Sequence, residues 1–257
     1  MDYKIATEKL SKFVRPQSFP LGVKIVKKGE TLPEGSTRPS KYDLKISLCQ
    51  WTTMARRWGR NVGVLTDDIN CTPCLAALGL KKLESESDFA TYLLDMGYFK
   101  NLALAEKATK ELAIPPSGEI DGIAMFPLDK APVAPDIVLI YGTPAQMARL
   151  VSGYIYHFGE LVESNTTGFG FSCLSALKPY WTGKPALVHP GRGERILGGT
   201  DEIEMCFTFP AKYLDKLLDG LEETHKKGTR YPVQSYILYQ PPLIPPMKIL
   251  DNKLTTS

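Results

Sequence analysis

Two segments of this chain carry one pattern, and that pattern constrains the fold more than any other feature. From Cys49 the chain runs to Gly59, then to the cation Arg60 and the apolar run 62–65. From Cys173 the same spacing leads to Gly183, then to Lys184 and the apolar run 186–188. Each segment reads as a helix, a glycine stop and a strand. The match predicts a degenerate internal duplication with halves at about 20–115 and 120–228, each placing one thiol at a related position.

With 257 residues the chain buries a sizeable core as one domain or two intertwined halves. The expected globular unit is 1–232, and 233–257 is a tail rich in proline yet apolar. A net charge of +3 implies neither a nucleic-acid partner nor an acidic membrane surface. The first residues lack a basic stretch followed by an apolar one, and no apolar run reaches the ~18 residues of a membrane span. The expectation is a cytoplasmic protein. Its five cysteines then read as ligands, nucleophiles or core fillers rather than disulfides.

Local signals place the elements. Helices are expected at 4–13, 46–58, 86–97 and 102–113, and strands at 21–26, 62–65, 123–126 and 137–141. Thr72-Pro73 opens a short helix that stops at Gly79. Thr143-Pro144-Ala145-Gln146 is a capping box with proline at the first helical position, so a helix runs to Phe158 and ends at Gly159. A strand over 202–209 alternates Ile203, Met205, Phe207 and Phe209. A helix then follows Pro210 to Gly228, and a last strand covers 235–239. Strands and helices mix without strict alternation, which predicts an α+β (mixed α/β) fold with a partly antiparallel sheet flanked by helices. The tail offers a contact for a homo-oligomer or lies on its own domain.

The chemistry-bearing residues are Cys49, Cys71, Cys74 and Cys173. Cys71 precedes a helix and Cys74 lies in its first turn. Free N–H groups there favour thiolate. Scattered thiolates joined to one short motif are how proteins hold iron–sulfur clusters. Four thiols complete a [4Fe–4S] cluster or a zinc ion, three leave one iron open, and two form a redox pair. Cys206 sits in an apolar strand and reads as core filler.

The strand 21–26, Leu48-Cys49, Asp67-Asp68-Ile69-Asn70-Cys71, Ala134-Pro135-Asp136 leading to Gly142, Ser172-Cys173, Gly193-Glu194-Arg195 with Gly199-Thr200, and Thr224-His225 to Tyr231-Pro232 resemble domain of unknown function 169, a prokaryotic family. The likeness spans about 8–232. It brings no settled activity. It implies that Cys49, Cys71 and Cys173 are the shared thiols. Many members have glycine where this chain has Cys74, which favours three thiols and an additional fourth.

Two glycine-rich stretches, 166–173 and 189–199, read as loops whose N–H groups approach an anion or a cluster sulfide. Arg192 and Arg195 in the second are candidates for holding a small anionic substrate, and His189 is a candidate fourth ligand. Asp67 and Asp68 are candidates for proton transfer, with a turn or capping role as the plainer reading. Arg56, Arg57 and Arg60 with Trp51 and Trp58 form a basic, aromatic run, but no nucleic-acid module accompanies it.

The expected function is iron–sulfur binding in redox or anaerobic metabolism. The open iron would act on a small anion or exchange electrons with a redox partner. The alternatives are a structural zinc protein without catalysis, and a metal-free enzyme domain binding a nucleotide or acyl ligand. Enzymes, electron carriers and sensors share these ligands, so the sequence leaves that choice open.

Overall fold

The computed structural model describes residues 1–233 apart from 86, 113 and 165, together with 250 and 253. The strand expected at 235–239 and nearly all of the tail lie outside the described residues.

The fold is α+β. In chain order the elements are α1 (Tyr3–Phe13), β1 (Leu21–Lys27), α2 (Leu48–Trp58), β2 (Val62–Leu65), α3 (Thr72–Ala77), α4 (Asp88–Asp95), α5 (Leu102–Glu111), β3 (Ile120–Pro127), β4 (Ile137–Gly142), α6 (Pro144–Phe158), α7 (Lys178–Thr182), β5 (Ala186–Val188), α8 (Arg192–Gly198), β6 (Met205–Pro210) and α9 (Leu214–Lys226). Local chemistry explains many boundaries. Thr143 and Gln146 cap each other at the start of α6, and Gly159 ends it with a left-handed φ of 62°. Among the described residues no helix is long and apolar enough to cross a membrane.

The six strands form one sheet in the order β2-β3-β1-β4-β6-β5, antiparallel at every pairing. The order repeats outward from the β1–β4 pair. On each side the first strand is central, the second lies at the edge and the third sits between them. Helical residues, a left-handed glycine and the edge strand follow each cysteine in turn. Gly59 has φ 66° between α2 and β2, and Gly183 has φ 69° between α7 and β5.

Alternation along the strands divides the core. Leu21, Val23, Ile25, Ile123, Met125, Ile137, Leu139 and Tyr141 face a cluster with Leu48 and Trp51 of α2, Leu75 near α3's end, and Phe171. Val138, Ile140, Phe207 and Phe209 face the other way, against α1, α6 and α9. A smaller cluster ties Ala76 and Ala77 of α3 to Phe89 and Leu93 of α4 and to Leu174. On the α9 side two helices meet backbone to backbone: a Cβ on Gly220 would stand 2.0 Å from the Gly153 carbonyl oxygen.

Two expectations need correction. The stretch 189–199 is not a loop throughout, because Arg192–Gly198 is helical. Its Glu194 is buried and its Gly198 packs against α2, so long-range contacts hold a helix that its glycines disfavour. The strand read at 202–209 begins only at Met205, because Glu204 turns into the core to meet Arg56.

Candidate functional site

The starts of α2 and α3 lie side by side, which brings their cysteines together. Ser47 and Gln50 form a capping box that starts α2 and sets Cys49 in its first turn. The Ile46 N–H donates to the Asp68 carbonyl at 3.1 Å and the Asn70 N–H to the Ile46 carbonyl at 3.4 Å. That bridge places Cys71, the cap of α3, beside the entrance to α2. Cys173 comes from the other half of the chain. Its neighbour Ser172 is buried and accepts from the Thr52 hydroxyl of α2 at 3.3 Å. Helix α8 covers the same end: the Thr53 hydroxyl donates to the Gly198 carbonyl at 2.5 Å.

The four thiols share one electrostatic neighbourhood. Burial pushes the Cys49 thiol far up, and the charges of Glu194, Cys173 and Cys71 add to it. A hydrogen bond with Cys173 pushes Cys74 up most, followed by burial and by the charges of Cys173, Cys71 and Cys49. Burial raises Cys71, the Cys74 N–H pulls it partly back, and Cys173 raises it again. Cys49, Cys71 and Cys173 are half-buried, Cys74 is buried, and all are free thiols. Cys206 is buried in β6 and donates to the Phe207 carbonyl at 3.7 Å.

A buried carboxylate adjoins this site, and in the sequence only its place in the Gly193-Glu194-Arg195 segment of the family resemblance marks it. Glu194 lies in the electrostatic neighbourhood of Cys49 and accepts from the hydroxyls of Ser172 and Tyr141, the latter at 3.2 Å. Burial raises its pKa, and the Ser172 bond, the Arg56 charge, Cys49 and Tyr141 pull it back. Behind Tyr141 the Arg56 guanidinium lies 4.2 Å from the ring centroid and pairs with Glu204 at 2.6 Å. A polar network thus runs from Glu194, beside Cys49, to the Arg56–Glu204 pair through the apolar core.

The other predicted residues divide. Asp68 is buried and accepts from the Leu65 N–H at 2.8 Å, the Arg38 Nε at 2.9 Å and the Ser40 N–H at 3.1 Å. Burial opposes its charge, but these bonds outweigh it and hold its pKa down. They fasten the segment before α2 to β2. Asp67 is exposed. Arg195 donates to the Asp201 carbonyl at 2.6 Å. Arg192 is exposed at the start of α8, and its charge is felt at Tyr92, as are those of Cys71 and Cys173. His189 is exposed just past β5. Arg56 and Trp51 are buried, so the run of arginine and tryptophan is not a continuous surface.

Burial and neighbouring charge favour the protonated form of Cys49, Cys71 and Cys74, and a bound thiophilic metal relieves both, since such ligands release their protons on binding. The donor types therefore fit such a group. Among the described residues no three or more His, Cys, Asp or Glu side chains converge as ligands of a single ion.

The family model for domain of unknown function 169, described as an uncharacterised ArCR family, matches residues 9–220. The chain belongs to this family. All four thiols and Glu194 lie inside the matched span, whereas Thr224-His225 and Tyr231-Pro232 lie beyond it. No curated protein and no solved structure matches the chain.

Proposed function

We propose that Cys49, Cys71 and Cys173, with Cys74, hold a [4Fe–4S] cluster. The observation that carries this reading is that thiols from both halves of the chain perturb one another at one site. A single tetrahedral zinc with bonds of about 2.3 Å needs its sulfurs roughly 3.8 Å apart. A four-iron cluster spreads its ligands further. Ligands drawn from the starts of α2 and α3 and from the second half of the chain are the scattered kind of set that holds a cluster.

A bound cluster supplies an electron or, at an open iron, a Lewis acid. The protein's own residues do the rest. Glu194 sets a buried carboxyl group beside Cys49 and is itself held by Ser172 and Tyr141. Arg192 is the exposed cation best placed to attract a small anionic molecule or the acidic face of a redox partner. Redox or Lewis-acid chemistry in anaerobic, cytoplasmic metabolism fits free thiols of this number.

Anaerobic purification with a visible spectrum and iron, sulfide and zinc analysis tests this reading. Brown protein with about four irons and four sulfides per chain supports it. Colourless protein with one zinc supports a structural ion instead, and colourless metal-free protein refutes both.

A further inference from the structure

A polar cleft lies where α1, the turn at 16–20, the end of α2 and the approach to β6 meet. It encloses about 580 Å³, within the range of small-molecule sites, and its lining includes Ser11, Ser18, Arg56, Arg57, Asp201 and Glu204. None of the four thiols lines it. The Phe19 N–H donates to the Arg56 carbonyl at 2.8 Å, which fastens the turn to α2 and sets Ser18 near Arg56.

Two buried polar atoms of these lining residues have no partner among the described residues, the Arg56 Nε and the Ser18 Oγ. Arg56 is fully buried, and a buried donor without an acceptor is costly. The bonds already made define what the cleft still offers. Glu204 is saturated. One of its oxygens accepts from the Arg56 Nη1 at 2.6 Å, and the other accepts from the Arg56 Nη2 at 3.0 Å, the Arg57 Nη2 at 3.3 Å and the Asp201 N–H at 2.8 Å. Spare capacity therefore lies mainly with donors: the Arg56 Nε, the rest of the Arg57 guanidinium and the Ser18 hydroxyl. Two guanidiniums share this one carboxylate, which leaves a positive charge beside the cleft. Asp201 is exposed at the rim, and only one of its side-chain oxygens is engaged, by the Ile203 N–H at 3.2 Å.

We infer that the cleft binds a small carboxylate that also carries a hydroxyl or amino group. The carboxylate accepts from Arg57, from Ser18 and from the Arg56 Nε, so it supplies the acceptor that the two buried atoms lack. The second group donates to the free oxygen of Asp201. Arg57 and Asp201 both touch the same Glu204 oxygen, so one small molecule spans them. A phosphate brings more negative charge than one unmatched guanidinium balances.

Isothermal titration of the full chain with malate, glutamate, acetate and inorganic phosphate tests this. Malate or glutamate is expected to bind saturably with Kd below about 1 mM, and more tightly than acetate, which lacks the second group, or phosphate. Arg57→Met and Ser18→Ala are each expected to weaken that binding about tenfold or more, the worth of a hydrogen bond to a charged group. The Arg57 side chain is 43% exposed, so its variant should fold. Ser18→Ala removes a hydroxyl that has no partner in the fold, so the unliganded variant should melt no lower than the native chain. No binding of malate or glutamate, binding indifferent to both changes, or acetate or phosphate bound as tightly as either overturns the inference.

Discussion

Replacing Glu204 by glutamine removes one charge from the pair that backs the thiol site. Arg56 is fully buried, and its guanidinium meets Glu204 at 2.6 and 3.0 Å and the Thr200 hydroxyl at 3.3 Å. Glutamine keeps the volume but presents an amide where one carboxylate oxygen accepted from Arg56, Arg57 and the Asp201 N–H. Removing one partner of a buried pair costs about 3–5 kcal/mol. At about 2–4 °C per kcal/mol for a chain of this size, Tm should fall by roughly 6–20 °C. Differential scanning calorimetry at neutral pH reads it. Adding Arg56→Met to Glu204→Gln removes the buried guanidinium that the first change leaves without its carboxylate and should recover part of the loss. Burial opposes ionisation of Glu204, but the Arg56 bond, the Asp201 N–H and both arginine charges hold its pKa down. A lowered folded pKa contributes stability above the ordinary carboxylate range and loses it as pH falls through the folded value. The gap between native chain and variant should therefore close in acid. A variant melting within about 2 °C of the native chain at neutral pH, or a double variant less stable than Glu204→Gln, refutes the reasoning.

Two further changes probe the supports of the site and the fold. Asp68→Asn turns an acceptor of three N–H groups into a half-donor and should cost about 2–4 kcal/mol in urea unfolding, since bonds to a charged group are worth about 1.5–3 each. Its pKa is lowered in the fold, so this loss should also shrink toward acid pH. Gly220→Ala would drive a methyl into the Gly153 carbonyl, with no side chain able to yield. It should cost about 1–3 kcal/mol by the same measurement, as overpacking does. An unchanged midpoint in either variant would contradict the packing described.

Features fixed by neighbours in the chain are legible in the sequence. The capping box over 143–146 and the glycine at 159 bound α6 at both ends, and 62–65 forms the expected strand. The thiols are legible too, because cysteine is rare and its spacing repeats. Features fixed by distant contacts are hidden. Helix α8 contains glycine at 193 and 198, and α2 and the buried Glu194 sustain it. Glu194 lies between Arg192 and Arg195, and in the sequence those two cations carry the stronger functional signal. Its neighbours Cys49, Ser172 and Tyr141 come from three remote segments. Asp68 is the reverse case: it sits close to Cys71 in sequence, but its oxygens are committed to Leu65, Arg38 and Ser40.

The central claim is that thiols from both halves of the chain bind one cluster. Iron and sulfide content of anaerobically purified Cys49→Ser and Cys173→Ser chains, beside the native protein, tests it most directly. The account predicts that each single change removes most of the iron and the visible colour while the chain stays folded. Native iron content in both variants would contradict it.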